Sequence, residues 1–311
     1  MTQQQYFKNL TVPKGKVDVV LDTDAYNEID DQFAICYLIK YPQKFSLKGI
    51  CAAPFLNEKA ASAADGMNKS YDEVLKLLRL AGREDLNPIV YKGSESYLPD
   101  EATPVASEAA DFMAELAEQY APQKPLYIIA IGAITNVASA ILKNPNMKEN
   151  CVVIWLGGHA THIQHAASEF NMQQDIAAAR VIFGCGIPLV QLPCVGVVDR
   201  FATTQYELEH WLKGKNALCD YLCENTIEHC KRYQKEKTWS KPIWDVTAVA
   251  WLLNEDGEFM KDRLICSPIP EYDKHYAYDE NRHFVQYVYE INRDKLFEDL
   301  FRVLGEKNEN I

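Results

Sequence analysis

The feature that most constrains the fold is a series of short, strongly apolar runs, each separated from the next by a helix-like stretch. They fall at residues 17–21 (VDVVL), 46–53, 88–91, 126–131 (LYIIAI), 151–156 (CVVIWL) and 188–192. Strands that read as continuous apolar runs are covered on both faces, and alternation with helices predicts a mainly parallel sheet. The helix-like stretches are 32–39, 59–80 ending at Ala81-Gly82, 107–120, 136–142 and 175–183. Beyond them, residues 203–256 read as mostly helical, the aromatic-rich 264–289 as extended strands and 293–304 as a closing helix. No Pro/Gly/Ser-rich linker and no internal repeat divides these parts. The expected fold is therefore one α/β domain over residues 1–311, with a mainly parallel, Rossmann-like central sheet and helices on both faces. Its core spans about 17–200, and a helical and hairpin C-terminal part spans about 201–311. In such sheets ligands bind at the carboxyl ends of the strands.

Charge narrows the partners. Lys plus Arg total 32 against 44 Asp plus Glu, a formal net charge of -12. Such a surface repels phosphate backbones and anionic headgroups, which argues against nucleic acid and membrane as partners. Nowhere are there eighteen consecutive apolar residues, and residues 1–16 hold no apolar run of signal-peptide length. Nine cysteines, an odd number without a CxxC pair, fit a reducing, cytoplasmic compartment.

Directly after the first run, Asp22, Asp24, Asp30 and Asp31 crowd into ten residues with Glu28 among them. Carboxylates so close repel one another, and a hard, oxygen-seeking cation such as Ca²⁺ or Mg²⁺ relieves the repulsion. The plainer alternative is that Asp30 and Asp31 serve the N-terminus of the next helix, where negative charge is favourable. Spacing alone leaves both open.

The stretch from Leu21 to Ala34 (LDTDAYNEIDDQFA) resembles the N-terminal signature of the inosine–uridine-preferring nucleoside hydrolases, with a longer loop that lacks the family's Pro-Gly turn. Further blocks are similar to that family along nearly the whole chain. They are Gly49-Ile50 followed by Asn57, then 131–138 (IGAITNVA), 155–158 (WLGG), 168–171 (SEFN) with Asp175, and 242–245 (PIWD). The resemblance implies a metal-dependent hydrolase that cleaves the N-glycosidic bond of a ribonucleoside or related ribosyl compound, with Ca²⁺ as cofactor and a dimer or tetramer as assembly. It assigns the Ca²⁺ ligands to Asp24, Asp31, the Thr135 carbonyl and Asp245, the general base to Asp30, and an orienting role behind the ligands to Asp22. Asn57, Glu169 and Asn171 would bind the ribose hydroxyls.

Two departures stand out. Trp244 replaces the His that helps protonate the leaving base in some members; indole N–H is no acid at neutral pH, but the ring can stack on a base. This slightly favours purine nucleosides. An Asn expected to contact the sugar's 5′ end falls on Ile163 by ungapped count, with Gln164, His162 or His165 as substitutes, which leaves the 5′ substituent open. His159, His162 and His165 recur every third residue; a surface or lid role is favoured over a zinc site. Cys185 is expected to be a buried structural thiol. The stretch from 272 to 289 reads as a packed hairpin rather than a substrate lid. Two other functions compete. One is a ribosyl-binding protein without turnover; the other is a haloacid-dehalogenase-like phosphatase, whose loop needs Thr or Val where Tyr26 stands.

Overall fold

The computed structural model describes residues 1–306, so the last five residues of the expected domain lie outside the described part. Its centre is an eight-stranded sheet. In chain order the strands are β1 (Val17–Thr23), β2 (Phe45–Ala52), β3 (Val90–Lys92), β4 (Leu126–Ala130), β5 (Cys151–Leu156), β6 (Leu189–Leu192), β7 (Met260–Cys266) and β8 (Phe284–Ile291). Their spatial order is β3-β2-β1-β4-β5-β6-β8-β7. All neighbours are parallel except β8 and β7. The chain steps outward from β1 to β3, then returns to the other side of β1 for β4. That reversal opens a crevice at the carboxyl ends of β1 and β4, where parallel sheets take ligands.

Side-chain alternation builds a core on each face. Val19, Leu21, Tyr127 and Ile129 enter one core, which is covered by helices Asp30–Ile39, Ala217–Tyr233, Val246–Leu253 and Arg293–Gly305. Val20, Leu126, Ile128 and Val153 enter the other, beneath helices Glu108–Leu116, Thr135–Lys143 and Ile176–Gly184. All ten residues of helix Asp30–Ile39 are buried, which is why its part after the first turn, residues 33–39, is apolar all round rather than on one stripe.

Several boundaries differ from the sequence expectation for identifiable reasons. The helix expected from residue 59 starts at Ala63, because the Ser62 hydroxyl accepts the Asp65 N–H and caps it there. The first half of the run 88–91 belongs to a 3₁₀ turn, Glu84–Ile89; Pro88 offers no N–H to a ladder, so pairing begins at Val90. The acidic helix starts at Asp30, two residues earlier than expected, which places both aspartates in its first turn.

The C-terminal strands belong to the same sheet. β8 pairs in parallel with β6, and β7 closes the edge. The connection between β7 and β8 packs on the body, as expected of a packed hairpin. The Tyr276 hydroxyl accepts from Gln191 Nε2 at 3.0 Å and donates to Met172 Sδ at 3.5 Å. All nine cysteines are free. Cys185 is only partly buried, contrary to expectation, because it lies just past the last turn of helix Ile176–Gly184. No helix among the described residues is long and apolar enough to cross a membrane.

Candidate active site

β1 delivers the acidic loop to the crevice. Ile131 N–H donates to Asp22 O and Ala53 N–H to Thr23 O, both at 2.8 Å, so ladder pairing holds the loop's base. Asn27 N–H then turns back on Asp24 O at 2.7 Å, and the helix begins. Asp245 lies at the start of helix Val246–Leu253, which packs on helix Asp30–Ile39. Two helix N-termini, each with partial positive charge, therefore meet at one point. Asp30 and Asp31 do stand in the first turn of their helix, but Asp245 makes no side-chain capping bond and Asp24 lies outside both helices, so helix termini alone do not account for the cluster.

One oxygen from each of Asp30, Asp31 and Asp245 lies within 4.8 Å of the others, and all three residues are buried. Asp24 is buried beside them at 1 % exposure. Asp24 Oδ2 and Asp30 Oδ1 have no hydrogen-bond partner, while Asp31 Oδ1 accepts from the Thr23 hydroxyl at 2.5 Å. Burial first, then the neighbouring carboxylates, push Asp24, Asp31 and Asp245 above the ordinary range. Asp30 is also raised by burial, against the opposing pull of the Lys241 ammonium. Buried carboxylates without counter-charge are costly. An all-oxygen set with orphaned lone pairs fits a hard divalent cation.

Asp22 lies outside the cleft wall and is fully buried. Its Oδ1 accepts from Asn136 Nδ2 at 2.8 Å; Asn136 also donates to Ala52 O at 3.1 Å and accepts Ser94 N–H at 2.7 Å. Burial pushes Asp22 up to about 7, with Asn136 opposing. Asn136→Ala breaks all three bonds and is expected to cost about 3 kcal/mol in urea unfolding, because it strands buried polar groups on both sides. A loss below about 1 kcal/mol would mean that this fastening is not needed.

Thr135 is also outside the cleft wall. Its hydroxyl donates to Asp175 Oδ2 at 2.7 Å, and Asp175 further accepts Leu98 N–H and Ala178 N–H, each at 2.9 Å. Glu169, Asn171, Asn57 and Trp244 do line the cleft with Asp24, Asp30, Asp31 and Asp245. The Glu169 carboxylate takes the N–H groups of Gly158, Asn171 and Met172 at 2.8–3.0 Å. Asn171 Nδ2 spends both protons on the carbonyls of Ile131 and Leu156, each at 3.0 Å, which leaves Oδ1 free to accept. Asn57 Nδ2 donates to Asn27 Oδ1 at 2.7 Å. Trp244 packs partly against the core and partly faces the cleft.

Sequence reasoning missed Asn27, Glu58, Cys194 and Val195, which also line the cleft, and gave no role to Glu28, which does so too. Glu28 is held by the buried Lys241 ammonium, whose charge more than offsets burial and keeps the carboxyl below its usual range. Of the histidines, His159 lines the cleft. His165 instead packs against His275 with ring centroids 4.5 Å apart and the planes tilted by 55°, and Ile163 packs toward the core. None of Ile163, Gln164, His162 and His165 is in the cleft wall, because the chain turns away after Ala160.

The cleft has a volume of about 380 Å³, within the range of small-molecule sites. A larger groove of about 730 Å³ runs beneath Trp211 and Phe301, but no converging catalytic groups line it.

Comparison with known proteins gives the same answer from independent directions. The pyrimidine-specific ribonucleoside hydrolase RihA of Citrobacter koseri is 27% identical over 233 residues, covering 66% of this chain and 73% of that one. Its counterpart in Salmonella arizonae is 26% identical over 266 residues, covering 76% and 80%. Among solved structures, the plant nucleoside hydrolase PpNRh1 superposes with a TM-score of 0.74 at 18% identity, covering 94% of this chain and 99% of that one. The purine-preferring ribonucleoside hydrolase from Gardnerella vaginalis gives 0.73 at 17% identity, covering 93% and 98%. At such identities the superpositions establish the fold, and with it the mainly parallel single-domain architecture. The model of the inosine-uridine preferring nucleoside hydrolase family matches residues 19–298, which sets the phosphatase alternative aside. The chain belongs to the inosine-uridine preferring nucleoside hydrolases, a metal-dependent family of N-glycosyl hydrolases.

Proposed function

We propose that this N-glycosyl hydrolase acts in the cytoplasm on unphosphorylated ribonucleosides, purines slightly favoured, releasing free ribose and base, and that residues 1–311 form one catalytic domain of a dimer or tetramer. The free thiols support a reducing compartment. In this reading Asp24, Asp31, the Thr135 carbonyl and Asp245 hold Ca²⁺, with Asp22 orienting the acidic loop from behind. When bound, the cation supplies Lewis acidity to the attacking water and a grip on the sugar's 2′ and 3′ hydroxyls. Asp30 accepts the water's proton. Its Oδ1, buried at the cleft wall without a hydrogen-bond partner, is the observation that supports this assignment.

Bond breaking builds positive charge at the ribosyl C1′, and the surrounding carboxylates lower the energy of that charge. Asn57, Glu169 and Asn171 position the ribose; the free Oδ1 of Asn171 suits a hydroxyl donor. Trp244 offers its ring to the base, and a purine presents the larger face for stacking. The acidic lining selects for charge: seven carboxylates line the cleft, and no lysine or arginine does. A dianionic 5′-phosphate is repelled there.

The test is release of reducing sugar from inosine, uridine and inosine 5′-monophosphate in the presence of Ca²⁺. Inosine is expected to be cleaved somewhat faster than uridine, and the monophosphate at least about 100-fold less efficiently in kcat/KM. No release from any nucleoside, with ribose still binding in a calorimeter, would return the protein to the binding-only alternative. Comparable rates on inosine and its monophosphate would overturn the charge argument.

A further inference from the structure

The loops after β5 and β6 present one side chain that the chemistry above leaves unused. His159 lines the cleft among Glu169, Cys194 and Val195. Its backbone is braced on two sides: His159 N–H donates to Ala166 O at 2.7 Å, Cys194 N–H to Gly158 O at 2.8 Å, and Ala160 N–H to Val195 O at 2.9 Å. The ring is fixed as well. Val195 N–H donates to His159 Nδ1 at 3.3 Å. A ring nitrogen that accepts carries no proton, so the neutral imidazole must hold its proton on Nε2. Nε2 has no hydrogen-bond partner among the described residues. Burial, opposed by the Asp199 charge, lowers the imidazole from its ordinary range, which favours the neutral ring.

Position gives this N–H a purpose. β5 and β6 stand two and three strands from β1, about 10–14 Å away at roughly 4.8 Å per strand. His159 therefore enters the cleft from the loops after β5 and β6, whereas the acidic loop enters it from β1. We propose that His159 is a specificity-determining residue, whose Nε2–H donates to an uncharged acceptor on the part of the substrate that lies away from the sugar diol. The acceptor is the 5′-hydroxyl oxygen or a ring atom of the leaving base. This inference rests on the cleft being a ribonucleoside site.

The test compares kcat/KM of the wild-type protein, His159→Ala and His159→Asn on inosine, 5′-deoxyinosine and p-nitrophenyl riboside, all with saturating Ca²⁺. The alanine variant is expected to lose about tenfold on inosine. On at least one analogue the loss disappears: on 5′-deoxyinosine if the 5′-hydroxyl is the acceptor, on the nitrophenyl riboside if the base is. Asn keeps an N–H donor and recovers part of the loss. No loss on inosine, or an equal loss on all three substrates with an unchanged melting temperature, overturns the proposal. Failure of the nucleoside assignment would look different, because the wild-type protein would then release reducing sugar from none of the three.

Discussion

Asp30→Asn is expected to lower kcat on inosine by about 10³-fold, within the range general-base removal gives, while leaving the fold intact. Asparagine is nearly isosteric and keeps a polar group in the first turn of helix Asp30–Ile39, so the backbone has no reason to move. What it loses is the ability to take a proton. Because Asp30 also sits within the acidic cluster, some weakening of Ca²⁺ affinity accompanies the change, and the comparison is made at saturating Ca²⁺. Asp31→Asn and Asp245→Asn should behave differently. Their rates should fall chiefly through lost ion affinity and recover in part as Ca²⁺ is raised. The measurement is kcat against Ca²⁺ concentration for all three variants. If Asp30→Asn keeps more than a tenth of the wild-type kcat at saturation, the base lies elsewhere.

Removing the cation is the second large effect. Dialysis against EGTA should abolish hydrolysis and lower the melting temperature by about 8 °C relative to protein in Ca²⁺ at 1,000 times its dissociation constant. Such saturation is worth about 4 kcal/mol, and about 2 °C follows per kcal/mol in a chain of this size. The pH dependence has a definite sign. Burial raises Asp24, Asp30, Asp31 and Asp245 above the ordinary carboxylate range and takes Asp22 to about 7. Between roughly pH 4, where unfolded carboxyls titrate, and about 7, the folded ion-free protein binds more protons than the unfolded chain. Its stability therefore falls as pH rises through that window. With Ca²⁺ the slope should reverse, because the cation binds the deprotonated carboxylates. Calorimetric melts at pH 5 and pH 8, with Ca²⁺ and with EGTA, check both statements. The same pH slope in the two conditions would rule out a cation at the cluster.

How much of this was legible in the sequence depends on distance along the chain. The apolar runs at 126–131 and 151–156 name central strands because burial on both faces leaves no polar alternation to confuse them. The run at 88–91 marks a real strand but starts it two residues early, since periodicity does not register that Pro88 cannot donate. Nothing local announces that β8 pairs with β6, because that partnership joins residues about a hundred positions apart. Within the site, Asp24, Asp30 and Asp31 declare themselves by crowding, whereas Asp245 was reached only through family resemblance. Lys241 gives no hint of Glu28, 213 residues away. His159 was hidden by its own pattern: a histidine every third residue reads as one feature, yet the structure turns only the first toward the cleft.

The pairing of β6 with β8 carries a consequence for how the molecule is made on a ribosome. Until residues 284–291 have emerged, β6 has one flank without its neighbour, and until residue 245 has emerged the acidic cluster lacks its last member. Truncated products ending before that point should be inactive and prone to self-association through the exposed strand, so catalytic competence waits for these late segments.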